Sequence, residues 1–236
     1  MNALLELIRA RQSERTAYDP GRVVTQDQLD LIIEAARWAP TAHNMQNFEI
    51  VVVDDPAMLQ AIGAIETRTS AVFLRENARQ LSATEAALRR RGAGVMASMF
   101  PPAWRAPDAD FEAIAAAAPP VPLSHSLQGA PCLLLVLYDP RQRAPASKGD
   151  VLGFISLGCV MQNLWLAAGS LGLGLQVLSV FSGAAAEAGV RRIVGVPAEL
   201  KIAYALRLGH PAADHPYVRV RRPPERFVHR NGYAGG

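Results

Sequence analysis

Arg11-Gln12-Ser13-Glu14-Arg15 and, one amphipathic helix further on, Ala39-Pro40-Thr41-Ala42-His43-Asn44-Met45-Gln46 are the stretches from which the rest of the chain can be read. The first puts two guanidinium groups and a hydroxyl within five residues. That set suits a dianionic phosphate and an adjacent polyol, because arginine gives paired charge-assisted hydrogen bonds to phosphate oxygens. The second is a helix end stopped by Pro40 and followed by Thr41, Asn44 and Gln46, neutral donors and acceptors on an irregular turn that can grip a flat heteroaromatic ring by its edge. Together they point to a phosphorylated, ring-bearing cofactor. Each also has a plainer reading. The first suits a solvated helix end with a capping serine, and the second suits ordinary turn chemistry, for which asparagine is a common choice. His43 alone reads as a surface or interface residue rather than a catalyst.

Working outward, Thr25 with Gln28 three residues later makes a capping-box pattern, and Leu29, Ile32, Ile33 and Ala36 follow at helical spacing. This helix must stop near Trp38, since Pro40 cannot continue it and biases the preceding residue away from helix. Leu4, Leu5 and Ile8 predict a short opening helix that ends before the arginine-rich turn. Residues 48–53 form a β-branched run closed by Asp54-Asp55-Pro56, which reads as a buried strand. Cys132–Tyr138, 175–181 and 201–208 read as further strands. Residues 151–171 are nearly continuously apolar and predict a helix buried on most sides, at a subunit interface. Gly172 and Gly174 end it; Gly172-Leu173-Gly174 follows a helix where a dinucleotide fingerprint would follow a strand, so it reads as a turn. Strands alternating with helices argue for an α/β layer structure. Residues from about 60 to 126 are less regular. They hold an alanine-rich helix candidate, Arg89-Arg90-Arg91, and then Met96, Met99, Phe100, Trp104 and Phe111 among prolines, an apolar excursion suited to a lid or to wrapping a second subunit.

With 236 residues, half of them hydrophobic and 19% charged, the chain has the composition of one globular domain spanning 1–236. No apolar run approaches the roughly 20 residues that span a bilayer, and the opening lacks the order of a secretory signal. A cytoplasmic protein without a membrane partner is expected. Cys132 and Cys159 lack metal-ligand spacing, so neither a disulfide framework nor a metal site is expected. The net charge is only +3, yet six arginines fall between Arg207 and Arg230 against Asp214 and Glu225. Pro211, Pro216, Pro223 and Pro224 interrupt this basic tail and no stacking module accompanies it, which argues against nucleic acid as a partner. In Arg219-Val220-Arg221-Arg222-Pro223-Pro224 the prolines stiffen arginines that would otherwise repel one another, so the tail is expected to dock on an anion. Both chain ends would then meet at one phosphate.

Across nearly its full length the chain resembles the FMN-dependent nitroreductases. The resemblance rests on the Arg-x-Ser-x-Arg opening, the helix ending Ala-Arg-Trp-Ala-Pro-Thr-Ala-x-Asn-x-Gln, and Gly129-Ala130-Pro131 before a strand. It continues through Gln162-Asn163-Leu164 running into Leu171-Gly172-Leu173-Gly174, Leu208-Gly209-His210-Pro211, and the Arg-Arg-Pro tail. It implies an α+β fold of three layers, with a central, mainly antiparallel sheet flanked by helices. It also implies an intertwined homodimer that exchanges C-terminal arms, here 212–236, with two FMN sites between the subunits. Carried over by position, Arg11, Gln12, Ser13 and Arg15 would hold the phosphate, ribityl chain and ring edge from one subunit. Thr41, Ala42 and Asn44, with Gln46 nearby, would approach from the other. Backbone N–H groups of Ser179 and Val180 would lie near flavin N5 and O4, and Arg222, with Arg219 or Arg221, would close the phosphate site. Two positions depart from the family pattern: Gln46-Asn47-Phe48 stands for Gln-Pro-Trp, and Thr41 for serine. The family's ring-touching asparagine and nearby cation fall in a region that holds Arg75 and Asn77.

The implied reaction is a ping-pong hydride transfer in which NADH or NADPH reduces the flavin and a small electron-poor acceptor, a nitroaromatic or quinone, reoxidises it. The flavin carries the chemistry, so no catalytic side chain is expected. Met96, Met99, Phe100 and Trp104 would cover the shared slot. Two alternatives remain open: a flavin-dependent dehydrogenase or ene-reductase for one metabolite, and a flavin-binding protein without turnover.

Overall fold

A computed structural model describes residues 2–215 and 217–233. Met1, Pro216 and 234–236 lie outside the described residues, so the expected arm at 212–236 is described only at 212–215 and 217–233. The chain divides into two compact units, one made of residues 1–67 and 122–215, the other of 68–121 and 216–236.

The main sheet of the first unit contains β1 (Glu49–Val53), β2 (Cys132–Tyr138), β3 (Gly174–Leu178) and β4 (Lys201–Gly209), hydrogen-bonded in the order β1-β2-β4-β3. Every pairing is antiparallel. The α/β reading of the strand–helix alternation is therefore corrected to α+β, as the resemblance implied. Both β2 and β3 run antiparallel to β4 and so share a direction, as an α/β unit would have them, but β4 inserts between them. Strand β2 reads Cys-Leu-Leu-Leu-Val-Leu-Tyr because helices cover both faces of the sheet. Cys132, Leu134 and Val136 face one layer, formed by α2 (Gln26–Arg37) and α4 (Val151–Ser170) through Leu29, Ile32, Ala36, Leu157, Val160, Leu164 and Ala168. Leu133, Leu135 and Leu137 face the other, formed by α3 (Pro56–Gly63) and α5 (Ala184–Val194) through Ile62, Ala186 and Val190.

The local signals act as written. Thr25 Oγ1 accepts from the Gln28 N–H (3.3 Å) while Gln28 Oε1 accepts from the Thr25 N–H (3.0 Å), closing the capping box of α2. The opening helix, α1 (Ala3–Ala10), is capped by Asn2, whose side chain accepts from the Leu5 N–H (3.1 Å). Gly172 takes the left-handed conformation, φ +70°, that ends α4.

Three expectations change. Strand β1 pairs on one side only and buries just Val53, so it is an edge strand rather than a buried one. Strand β3 stops at Leu178, and Ser179–Ser182 form a 3₁₀ turn as Phe181 dips into the core. The apolar run into α4 also has the length and composition of a bilayer span, from Lys148 to Ser170. One stripe of that helix packs across the sheet, which accounts for part of its hydrophobicity.

Cys132, 1% exposed, has its thiol pushed up to about 12 by burial, with Asp54 adding to the shift. Its proton is held more tightly in the folded chain than in the unfolded one. The resulting stability is complete below pH 9 and is lost as pH rises toward 12, at about 1.4 kcal/mol per pH unit. Urea midpoints at pH 8 and pH 10 should therefore fall further for the native chain than for Cys132→Ala. Equal falls would remove Cys132 as the cause.

The second unit has its own small core of Ala71, Leu74, Ala78 and Phe111, with Phe100 and Trp104 packed against it and stacked on each other at 6.2 Å. Residues Arg75–Leu81 form a π-helical turn. Arg79 stacks over Phe111 (4.7 Å) and donates to the Pro107 carbonyl oxygen (3.2 Å), so it ties the proline-rich stretch to this core. Gly92 caps the preceding short helix at φ +69°, where a Cβ would lie 2.7 Å from the Arg221 carbonyl oxygen; the tail backbone thus crosses closely over this turn.

Candidate flavin site

Two segments of the first unit carry most of the expected site residues, and both are anchored to α4. The segment 11–16 leaves α1 without regular secondary structure and runs beside β3, where the Glu14 N–H donates to the Leu175 carbonyl oxygen (3.0 Å). Trp165 on α4 holds its start: the indole Nε1–H donates to the Gln12 carbonyl oxygen (2.9 Å), and the Arg11 guanidinium lies 4.5 Å over the indole ring. Glu14, the one acid of the stretch, is 2% exposed. Its carboxylate accepts from the Thr16 N–H (2.9 Å) and from the Thr16 hydroxyl. Arg15 is exposed while Arg11, Gln12 and Ser13 are half-buried. With the acid turned in and satisfied, the accessible side of the segment offers guanidinium and hydroxyl donors. That donor set fits a dianionic phosphate.

The turn 41–46 is built differently. His43, Asn44 and Gln46 all take left-handed backbone conformations, φ +53°, +54° and +48°. Asparagine accepts this readily, but histidine and glutamine do so at a cost of order 1 kcal/mol or more each. The turn is held from inside: the Gln46 N–H donates to Thr41 Oγ1 (3.1 Å), the Gln46 side-chain amide donates to Asn44 Oδ1 (3.1 Å), and the Asn44 N–H donates to the Thr41 carbonyl oxygen (3.0 Å). It is also held from α4, where Ser156 Oγ accepts from the Ala42 N–H (2.9 Å) and donates to the Leu152 carbonyl oxygen (2.8 Å). The strained, amide-rich turn is thus a fixed feature of the fold.

Ser156 and Trp165, the two anchors, are nine residues apart. That is roughly 14 Å along α4 and two and a half turns, so the segments sit toward opposite ends of the helix and on opposite flanks. Within one chain the phosphate-type donors and the amide turn are not brought together by α4. Ser179 is exposed and Val180 half-buried in the turn after β3.

Arg219, Arg221 and Arg222 belong to the second unit. There Arg221 Nη1 donates to the Val220 carbonyl oxygen (2.7 Å), and the Arg222 guanidinium lies 5.6 Å over Phe227. Arg75 pairs with Glu112 (3.1 Å), and the Asn77 side chain donates to the Phe73 carbonyl oxygen (2.9 Å), so both make contacts inside that unit.

The sequence reading missed the anchors Ser156 and Trp165, and it missed Arg207. Counted with the basic tail, Arg207 is instead a buried residue of β4, 1% exposed. The available signal was a charged residue between Leu206 and Leu208, in the apolar second half of a strand.

The Nitroreductase family model matches residues 8–210. A curated relative, the NADPH-flavin oxidoreductase of Vibrio harveyi, is 32% identical over 95 residues, which are 40% of this chain and only 38% of that protein. Among solved structures, a nitroreductase family protein from Clostridium difficile 630 matches with a TM-score of 0.63 at 18% identity, over 99% of this chain and 100% of the other. An FMN-dependent nitroreductase from Clostridium difficile R20291 matches with a TM-score of 0.60 at 17% identity, over 97% and 99%. A nitroreductase with bound FMN from Bacteroides fragilis NCTC 9343 matches with a TM-score of 0.56 at 19% identity, over 100% of both chains. At these identities the likeness is one of fold.

Proposed function

Because the chain belongs to the nitroreductase family, we propose that it is an FMN-dependent oxidoreductase of the cytoplasm that passes hydride from NADH or NADPH to a small electron-poor acceptor such as a nitroaromatic or quinone. The observation that carries this reading is the division of the donor groups between the two ends of α4. On the face that helical spacing turns away from Val160 and Leu164, α4 carries Leu152, Ile155, Cys159, Gln162 and Leu166, spaced three and four residues apart, of which Cys159 also packs against the core. Leu152 and Ile155 remain 40% and 55% exposed in the single chain. This is the pattern of a seam for a second helix. A second copy laid antiparallel across it, with the two-fold axis between Cys159 and Gln162, sets the Ser156 end of one subunit against the Trp165 end of the other. Such a pairing brings the phosphate donors of one chain level with the amide turn of the other, the division that the family resemblance implies for each site.

FMN, when bound, supplies the N5 position that takes hydride from one substrate and gives it to the next. The chain's own groups bind and orient it. Arg11, Ser13 and Arg15, with Gln12, are assigned to the phosphate and ribityl chain, and Arg222, with Arg219 or Arg221, to the same phosphate. Thr41, Ala42, Asn44 and Gln46 of the second subunit are assigned to the ring edge, where fixed donors stabilise negative charge as it develops. Backbone N–H groups of Ser179 and Val180 are assigned to the N5 and O4 edge. Met99, 49% exposed, is the most accessible of the apolar groups assigned to cover the slot.

Purified protein is expected to be yellow, to release FMN and not FAD on extraction, and to lose its oxidised-flavin absorbance on anaerobic mixing with NADH or NADPH. A panel of nitroaromatics, quinones and activated alkenes then separates the acceptor classes. A flavin that stays oxidised with both nicotinamides makes the chain a binding protein, and a colourless chain that takes up no added FMN ends the proposal.

A further inference from the structure

Arg207 is buried in a place where the core does not ask for it. Its neighbours on β4, Leu206 and Leu208, are both fully buried, and it pairs across the sheet with Leu133 on one side and Gln176 on the other. Removing a guanidinium from water is costly, and well-packed apolar replacements of buried charges are often neutral or stabilising. Packing alone therefore does not explain an arginine here. Its contacts do. Nη2 donates to the carbonyl oxygens of Glu14 (3.0 Å) and Thr16 (3.2 Å), the two residues that bracket Arg15. Nη1 donates to the Leu127 carbonyl oxygen (3.1 Å) and to Gln128 Oε1 (2.8 Å), which aims the guanidinium. The Tyr18 ring lies 5.0 Å from the guanidinium carbon, and its hydroxyl donates to the carbonyl oxygen of Arg207 (3.3 Å). Opposite, Gly174 leaves room for Glu14, since a Cβ there would lie 2.7 Å from Glu14 Cγ.

We propose that Arg207 is the positioning residue of the phosphate-binding segment: by drawing the carbonyls on either side of Arg15 inward, it fixes the register in which Arg15 and Ser13 present their donors. Glu14 is buried and Arg15 exposed, so a segment pinned through the Glu14 and Thr16 carbonyls keeps Arg15 outward. A loosened segment could rotate or slip, and the phosphate would then have to order it on binding. The inference rests on the reading of 11–15 as a phosphate site.

The test compares FMN with riboflavin, which differ only in the phosphate. Affinities are measured by quenching of flavin fluorescence on the flavin-free full-length chain and on Arg207→Met, Arg207→Lys and Arg15→Ala. Arg207→Met is expected to cut the FMN-to-riboflavin affinity ratio by about tenfold or more, since riboflavin keeps the ribityl and ring contacts but has no phosphate for the Arg15 and Ser13 donors to meet. Amide hydrogen exchange should rise in residues 11–17 and stay slow in β2. Arg207→Lys should recover part of the ratio, because an ammonium keeps the charge but not the planar fork. If Arg207→Met does not fold, the ratio in Arg207→Lys decides, with a fall of about threefold or more expected. An unchanged ratio, or equal losses for both flavins, overturns the inference and leaves Arg207 a core residue only. If Arg15→Ala also leaves the ratio unchanged, the phosphate reading itself fails. If Arg15→Ala collapses the ratio while the Arg207 variants do not, only the role of Arg207 fails.

Discussion

Arg15→Ala is expected to weaken FMN binding by about 10- to 100-fold while leaving riboflavin binding within about twofold, because a hydrogen bond to a charged group contributes about 1.5–3 kcal/mol and each 1.4 kcal/mol is a factor of ten. Arg15 is the more exposed guanidinium of the segment, and Arg11 also stacks on Trp165 and would lose packing when truncated. The prediction separates charge recognition from fold, since thermal stability should move by only about 0.5 kcal/mol for an exposed side chain. The parallel variant Arg222→Ala tests whether the tail converges on the same phosphate. A comparable loss, again confined to FMN, is expected there. Full affinity in both variants would exclude a phosphate site shared by the two ends of the chain.

What the sequence disclosed, and what it withheld, follows from the range of the interactions. The capping box at Thr25 and Gln28, the proline stop after Trp38 and the glycine turn after α4 are local devices, and each forms where its residues stand. The unbroken apolar run of β2 announced a strand covered on both faces, but nothing local said that β4 would insert beside it, since the order of strands is set by contacts between distant segments. Strand β1, apolar by composition, turned out to be an edge for the same reason. At the site, the donor types in 11–15 and 41–46 were legible because chemistry restricts which residues can hold a phosphate or a ring edge. Their anchors were not. Ser156 and Trp165 look like ordinary residues of a hydrophobic helix until the turn and the segment are seen resting on them. Arg207 was visible as a charge and misread as part of the tail, because a buried guanidinium is understood only through the carbonyls it meets.

Ile155→Glu is expected to convert a dimer into monomers and, with the same step, to abolish flavin binding. The residue belongs to the outward seam of α4 and is 55% exposed in the single chain, so a charge there leaves the subunit's own core untouched. Across a two-fold axis the substitution appears twice, each carboxylate buried opposite Leu166 of the second copy, at a cost of several kcal/mol per ion. Sedimentation should show one species of single-chain mass with native far-ultraviolet dichroism. The glycine beside the seam gives a second test, one whose sign decides. A Cβ at Gly158 would meet no atom of its own chain within 4 Å. In an isolated subunit Gly158→Ala should therefore stabilise the helix by about 0.5–1 kcal/mol, since glycine is the poorer helix former. If a second helix packs closely against this face, the same methyl group obstructs it, and the variant should weaken both the dimer and FMN affinity. A monomeric Ile155→Glu protein that still bound FMN with native affinity would show each subunit's site to be complete by itself. The two anchors on α4 would then have to be reached by one flavin within a single chain, across the roughly 14 Å that separates them.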